Sequence, residues 1–131
     1  MDSRLFRSRA VRVLRELERS DSELSIALVN DDEIAALNSE HRAKSGPTDV
    51  LSFSLLEGQQ TEHRGRLLGD VIISVETAAR QARTAHRALN DELARLLIHG
   101  TLHLLGWDHE QPEEARRMRA EERRLWRIIR S

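Results

Sequence analysis

Cysteine and tyrosine are absent from this 131-residue chain, and proline, tryptophan and phenylalanine occur twice each. Without cysteine there is no disulfide, no thiolate metal ligand and no thiol nucleophile, so any metal must rely on histidine nitrogen or carboxylate oxygen. That lack also suits a reducing compartment. No apolar run approaches the ~20 residues that cross a bilayer. The opening Met1-Asp2-Ser3-Arg4-Leu5-Phe6-Arg7 has no apolar stretch of a secretory leader. A soluble, cytoplasmic protein is expected. A net charge of −1 gives no bulk attraction for nucleic acid. Lys44 is the sole lysine, so nearly every cation is arginine, the better fork for phosphate oxygens. Genome composition produces the same bias and is the plainer explanation.

Against these absences stands one dense stretch, His99-Gly100-Thr101-Leu102-His103-Leu104-Leu105-Gly106-Trp107-Asp108-His109. Histidines four apart on a helix share one face, about 6 Å apart, within reach of a single ion. Gly106 tolerates a left-handed helix end, so the chain can turn back and bring His109 to the first two. Three neutral nitrogens leave a coordination position for water or substrate oxygen. Burying three imidazoles with no common partner would cost desolvation three times over, which favours a metal. His41, His63 and His86 share no such spacing and are expected at the surface.

The length fits a single domain, residues 1–131, able to bury a core without disulfides. Ala10, Val13, Leu14 and Leu17 mark an amphipathic helix near residues 5–19, broken by Ser20-Asp21-Ser22. Residues 24–29 read as a strand. Asn30-Asp31-Asp32 then offers caps for a helix carrying Ile34 and Leu37. Residues 38–47 are polar, with Gly46 and Pro47, and read as a loop. Val50-Leu51-Ser52-Phe53-Ser54 and Val71-Ile72-Ile73-Ser74 read as strands, the second after a turn at Gly69-Asp70. Residues 57–66 between them are polar and expected to be mobile. Ala78, Ala79, Ala82 and Ala85 give the next helix a thin face for packing on a sheet, and Asn90 is placed to cap the histidine helix. Residues 113–129 mix Glu and Arg at helical spacing around Met118, Leu125, Trp126 and Ile129, and their charge run reads as a solvated face. The alternation favours a small α+β or α/β domain, a mixed sheet covered by helices.

The histidine spacing also matches the metzincin protease pattern H-E-x-x-H-x-x-G-x-x-H at every metal position. It departs at the glutamate that takes a proton from the metal-bound water, where Gly100 stands. General-base assistance is worth about 10²- to 10⁴-fold, so a metalloprotease is the second reading. A non-catalytic protein braced by zinc is the third.

Three blocks, taken together, resemble the YbeY (UPF0054) family of bacterial rRNA maturation factors. They are Leu37-Asn38-Ser39-Glu40-His41-Arg42 running into Pro47-Thr48-Asp49-Val50-Leu51-Ser52-Phe53, then Leu68-Gly69-Asp70-Val71-Ile72-Ile73-Ser74, then the histidine stretch. The resemblance spans about residues 24–110. It implies a single-strand-specific, metal-dependent endoribonuclease with zinc on His99, His103 and His109, one ion per chain, acting on the 3′ end of 16S rRNA and in ribosome quality control. Single-stranded RNA, ribosomal RNA and small-subunit proteins are the implied partners. The family's functional arginine falls on Arg42, which on residues alone reads as a surface charge or an ion pair. Relatives begin with a strand before their first helix; here either Met1 to Phe6 forms a short version or the sheet loses an edge strand.

Zinc on three imidazoles would acidify water and offset charge on a phosphate, while Arg42 would grip two phosphate oxygens. Asp108 either holds an imidazole N–H or caps the turn after Gly106. Asp70 is expected to serve the turn, and Thr48 and Asp49 to hold the Arg42 loop by local hydrogen bonds. Phe53 reads as core; Trp107 either stacks on a base or packs under the metal loop. With so few aromatics, phosphate contacts must carry most RNA affinity, which should fall steeply with salt.

Overall fold

A computed structural model describes residues 1–42, 46–54 and 66–130, with Arg42 by its backbone alone. Lys44, His63 and most of the polar stretch 57–66 lie outside the described residues. The elements are α1 (Ser3–Glu16), β1 (Glu23–Val29), α2 (Asp31–Arg42), β2 (Val50–Ser54), β3 (Leu67–Ser74), α3 (Val75–Thr84), α4 (Leu89–Leu104) and α5 (Pro112–Arg130). The sheet runs β1-β3-β2, with β1 parallel and β2 antiparallel to the central β3. This is the mixed, helix-covered α+β sheet that the alternation of elements implies.

Side chains of β3 point both ways and so sort the helices. Val71 and Ile73 join Leu93, Leu97 and Leu104 of α4 on one face. Ile72 meets Ile34 of α2 and Leu51 of β2 on the other, with Phe53 packed against them. α4 is apolar nearly all round because a second cluster covers its outer side. There Ala94, Ile98 and Leu102 pack with Val13 of α1 and with Met118, Leu125 and Ile129 of α5. A helix packed on two opposite faces is a rigid mount, since each Leu truncated to Ala in such a place costs about 2–5 kcal/mol.

Several boundaries differ from expectation. Ser3 already begins α1, capped by the Asp2 carboxylate accepting from the Leu5 N–H, so Met1 to Phe6 forms no strand. The loop expected over 38–47 is helical as far as Arg42, because Asn38 is buried and donates its amide to the Gly46 carbonyl instead of breaking the helix. Gly69-Asp70 is no turn: both residues lie within β3, opposite Ser54 and Phe53. The β1–β3 register slips there, between Glu23 and Ser25, and the slip lets Leu68 join Val71 and Ile73 on one face. Asp70 is thus a strand residue, not a turn residue. Asn90 does not cap α4, whose N-cap is Ala88; its side-chain oxygen instead accepts the Asp2 N–H and ties down the start of α1. Asn30 does cap α2, reciprocally, its side chain accepting the Glu33 N–H while Glu33 accepts the Asn30 N–H.

Candidate metal centre

The last turns of α4 carry His99 and His103, and the helix then stops on a Schellman turn. Trp107 N–H reaches the Leu102 carbonyl and Gly106 N–H the His103 carbonyl, with Gly106 at φ +96°. Trp107 packs against the cluster containing Leu102, the apolar contact this turn favours, so its packing role is the one observed. Reversal at Gly106 brings His109 back. Its ring centroid lies 5.6 Å from that of His99 and 5.0 Å from that of His103. One nitrogen from each of the three rings lies within 4.8 Å of the others, an arrangement that could hold one ion.

The inner pair tests the fit. His99 Nε2 and His103 Nε2 are 3.2 Å apart, and two nitrogens bound tetrahedrally to zinc at ~2.0–2.1 Å stand about 3.3 Å apart. His99 Nδ1 meets the Glu122 carboxylate of α5 at 3.1 Å. An N–H donated there leaves Nε2 with a bare lone pair facing His103. Burial, then the facing imidazoles of His99 and His109, hold the His103 pKa below the ordinary histidine range. Neutral imidazole, the form a metal needs, is therefore favoured. The donor set fits a borderline divalent ion such as zinc.

α4 is held against β2 by two hydroxyls. Ser52 Oγ donates to the Gly100 carbonyl at 2.9 Å and Ser54 Oγ to that of Leu104 at 3.1 Å. Two residues along a strand span nearly the same distance as one helical turn, so the pair locks the register of α4 on the sheet. Gly100 makes this approach possible: a Cβ there would lie 2.8 Å from Val71 Cγ1 and 3.1 Å from Ser52 Oγ. The position that carries the proton acceptor in metzincins is thus pressed into the sheet, where no glutamate fits.

The rings open onto a cleft of about 560 Å³ whose lining includes Asn38, Thr48, Asp49, Asp108 and Glu110. Asp49 holds this wall: its carboxylate accepts from Val50 N–H and the Gln81 amide, and its carbonyl accepts from Ser74 N–H. Thr48 Oγ1 lies 3.4 Å from it. Asp108 accepts from the His109 N–H at 2.7 Å and so braces the turn. Asp70, on β3, is not part of the cleft lining. Arg42 ends α2 one turn after Asn38; its side chain lies outside the described residues. His41 is half exposed, edge-on to Phe53 at 5.4 Å, and His86 is exposed at φ +53°.

Glu122 was not legible as a site residue, because the charge run of α5 reads as solvated throughout. A signal existed: Glu122 falls four after Met118 and three before Leu125, both buried, so a carboxylate interrupts the apolar stripe.

A helix and its closing turn presenting three imidazoles to a cleft beside a small mixed sheet define a class, α+β domains with a three-histidine cluster that could hold one metal ion. A model of the family described as endoribonuclease YbeY matches residues 3–130. The chain belongs to that family. It is 54% identical to endoribonuclease YbeY of Anaeromyxobacter sp. (strain Fw109-5) over 95% of its own length and 64% of the relative's. With the protein of the same name from Syntrophotalea carbinolica it shares 48% over 92% and 82% of the two lengths. The solution structure of TM1509 from Thermotoga maritima superposes with a TM-score of 0.69 at 27% identity, covering 97% of this chain and 82% of that one. The chain spans slightly less than two thirds of the two Anaeromyxobacter relatives, 64% and 63%. Among the described residues no helix is long and apolar enough to cross a membrane.

Proposed function

We propose that this chain is a metal-dependent endoribonuclease that hydrolyses single-stranded RNA, with one zinc ion on His99, His103 and His109. Residues 1–131 act as one domain in this reading, and the physiological setting is the cytoplasm: maturation of the 16S rRNA 3′ end and ribosome quality control, alongside small-subunit proteins. The observation that carries the proposal is the pair of Nε2 atoms 3.2 Å apart, with a third imidazole beside them, opening on a cleft large enough for a nucleotide. The family match and the names of the relatives support the choice of RNA.

When bound, the ion supplies Lewis acidity, lowering the pKa of water and offsetting negative charge on a phosphate oxygen. Each residue then has a task. Glu122 keeps His99 turned inward through Nδ1, and the depressed pKa of His103 keeps that ring a lone-pair donor. Asp108 fixes the backbone that presents His109. Arg42, one turn beyond the cleft residue Asn38, grips the scissile phosphate with two N–H groups and stabilises the more highly charged transition state. Thr48 and Asp49 line the same cleft, with the Asp49 carboxylate held by the Val50 N–H.

A protease reading fares worse, since position 100 is packed against Val71 and Ser52 and cannot host the glutamate base. Purified protein with zinc, freed of contaminating nucleases, should cut single-stranded RNA and spare duplex RNA and unfolded polypeptide. His103→Ala, prepared in parallel, should lose metal and cleavage while keeping its melting temperature to within a few degrees. Chelator-sensitive cleavage of peptide but not RNA would replace this reading with the protease; unfolding of His103→Ala would favour a structural brace.

A further inference from the structure

Behind the histidines, between α4 and α5, lies a second opening of about 290 Å³ lined by Arg95, Ile98, Arg119, Glu122, Arg123 and Trp126. Three of the six are arginines, and the single carboxylate among them, Glu122, is turned to His99. Arg119 and Arg123, both exposed, have no hydrogen bond or ion pair among the described residues, unlike Arg116, Arg117 and Arg124 on the same helix. Arg95 reaches the buried Glu92, which also holds Arg87 at 2.6 Å, so one carboxylate is shared between two guanidinium groups. Excess positive charge therefore gathers here in a chain whose net charge is −1. The half-buried Trp126 supplies an apolar wall backed by the buried Ile98, and Arg9 stands over the Trp126 ring at 5.4 Å.

His99 lines the metal cleft and Glu122 lines this groove, and the two side chains meet at 3.1 Å. Arg95 precedes His99 by one turn of α4, about 6 Å. On α5, Arg119 lies three residues before Glu122 and Arg123 directly after it, the two arginines standing one turn apart.

The geometry points to a nucleic-acid subsite: the groove holds the single-stranded RNA flanking the cleaved bond, with Arg95, Arg119 and Arg123 on phosphates and one base against Trp126. This extends the proposed nuclease reading and rests on it for the identity of the strand. Exposed guanidinium groups flanking an apolar wall match the two features that single strands offer, a dense line of phosphates and unpaired bases. A volume near the lower limit of ligand pockets suits one base.

Fluorescence anisotropy with metal-free full-length protein and a labelled, uncleavable 2′-O-methyl oligouridine 12-mer tests the subsite apart from catalysis. The double variant Arg119→Glu/Arg123→Glu should bind at least tenfold more weakly than wild type. The slope of log K against log salt should fall by about 0.7 for each phosphate no longer neutralised. Arg116→Glu/Arg117→Glu changes net charge equally at arginines that do not line the groove, and should weaken binding less than threefold. Trp126→Leu should weaken binding about tenfold with the salt slope retained, as expected when a base is deprived of its stacking platform. Equal weakening in the two double variants, absence of wild-type binding, or competition by polyglutamate as strong as by oligouridine would each overturn the subsite. Failure of wild type to cleave RNA would instead overturn the nuclease reading, so the two ideas fail separately.

Discussion

The two flanks of α4 are built differently. Toward β2 the contact is made by what is missing, a side chain at Gly100, together with hydroxyl bonds from Ser52 and Ser54 to α4 carbonyls. Toward α5 it is made by a half-exposed carboxylate, Glu122, on an imidazole nitrogen. The first flank fixes where the helix lies, and the second fixes how one ring is turned. A metal centre needs both, but only the first is bound up with folding, because close packing tolerates no intrusion whereas a partly solvated hydrogen bond is worth little to stability.

Gly100→Val attacks the packed flank and carries the largest expected effect. Its side chain would meet Val71, Ser52 and Val50, costing about 3 kcal/mol by overpacking, read as a lower urea midpoint together with weaker metal binding. Glu122→Ala attacks the orienting flank. Zinc affinity, measured by chelator competition, should fall about 10- to 100-fold, with a change in unfolding free energy below about 1 kcal/mol. Were the two variants to show the same balance of stability and metal loss, the division of labour between the flanks would be wrong.

The smallest effect concerns a polar joint remote from both flanks. Asp31 accepts from Ser74 and Thr77 hydroxyls at 2.6 Å each and pairs with Arg80, joining the start of α2 to β3 and α3. Hydrogen bonds from Ser74 and Thr77, aided by Arg80, lower its pKa from 3.8 to about 2. A carboxyl depressed in the folded state stabilises above its unfolded pKa and loses that contribution as pH falls through the folded value. The stability gap between wild type and Asp31→Asn should therefore be constant above pH ~5 and close between pH ~4 and ~2, as followed by urea unfolding. A gap that persists unchanged to pH 2 would remove Asp31 from the joint.

Much of the centre was readable from residues alone, for local reasons. The i, i+4 histidines need only helical periodicity, and the reversal at Gly106 needs only a residue that accepts positive φ, so both follow from a dozen neighbouring positions. What escaped depends on partners distant in sequence. Glu122 follows His99 by 23 residues and meets it only because α5 packs back on α4. Asn38 and Asn90 have loop and cap propensities that tertiary hydrogen bonds to Gly46 and Asp2 override. Gly69 read as punctuation, yet it sits inside β3, where a Cβ would run into the Phe53 carbonyl, a backbone approach that local pattern cannot reveal. The arginine pattern of α5 was visible as charge, whereas its division into paired and unpaired members was not.

X-ray absorption at the zinc edge, on untagged protein loaded with one equivalent of zinc, bears on the whole reading. Three imidazole nitrogens at ~2.0–2.1 Å with one additional light oxygen scatterer, and loss of an imidazole in His109→Ala, are the predicted result. A shell closed by four protein ligands, or one unchanged by removal of His109, would contradict it.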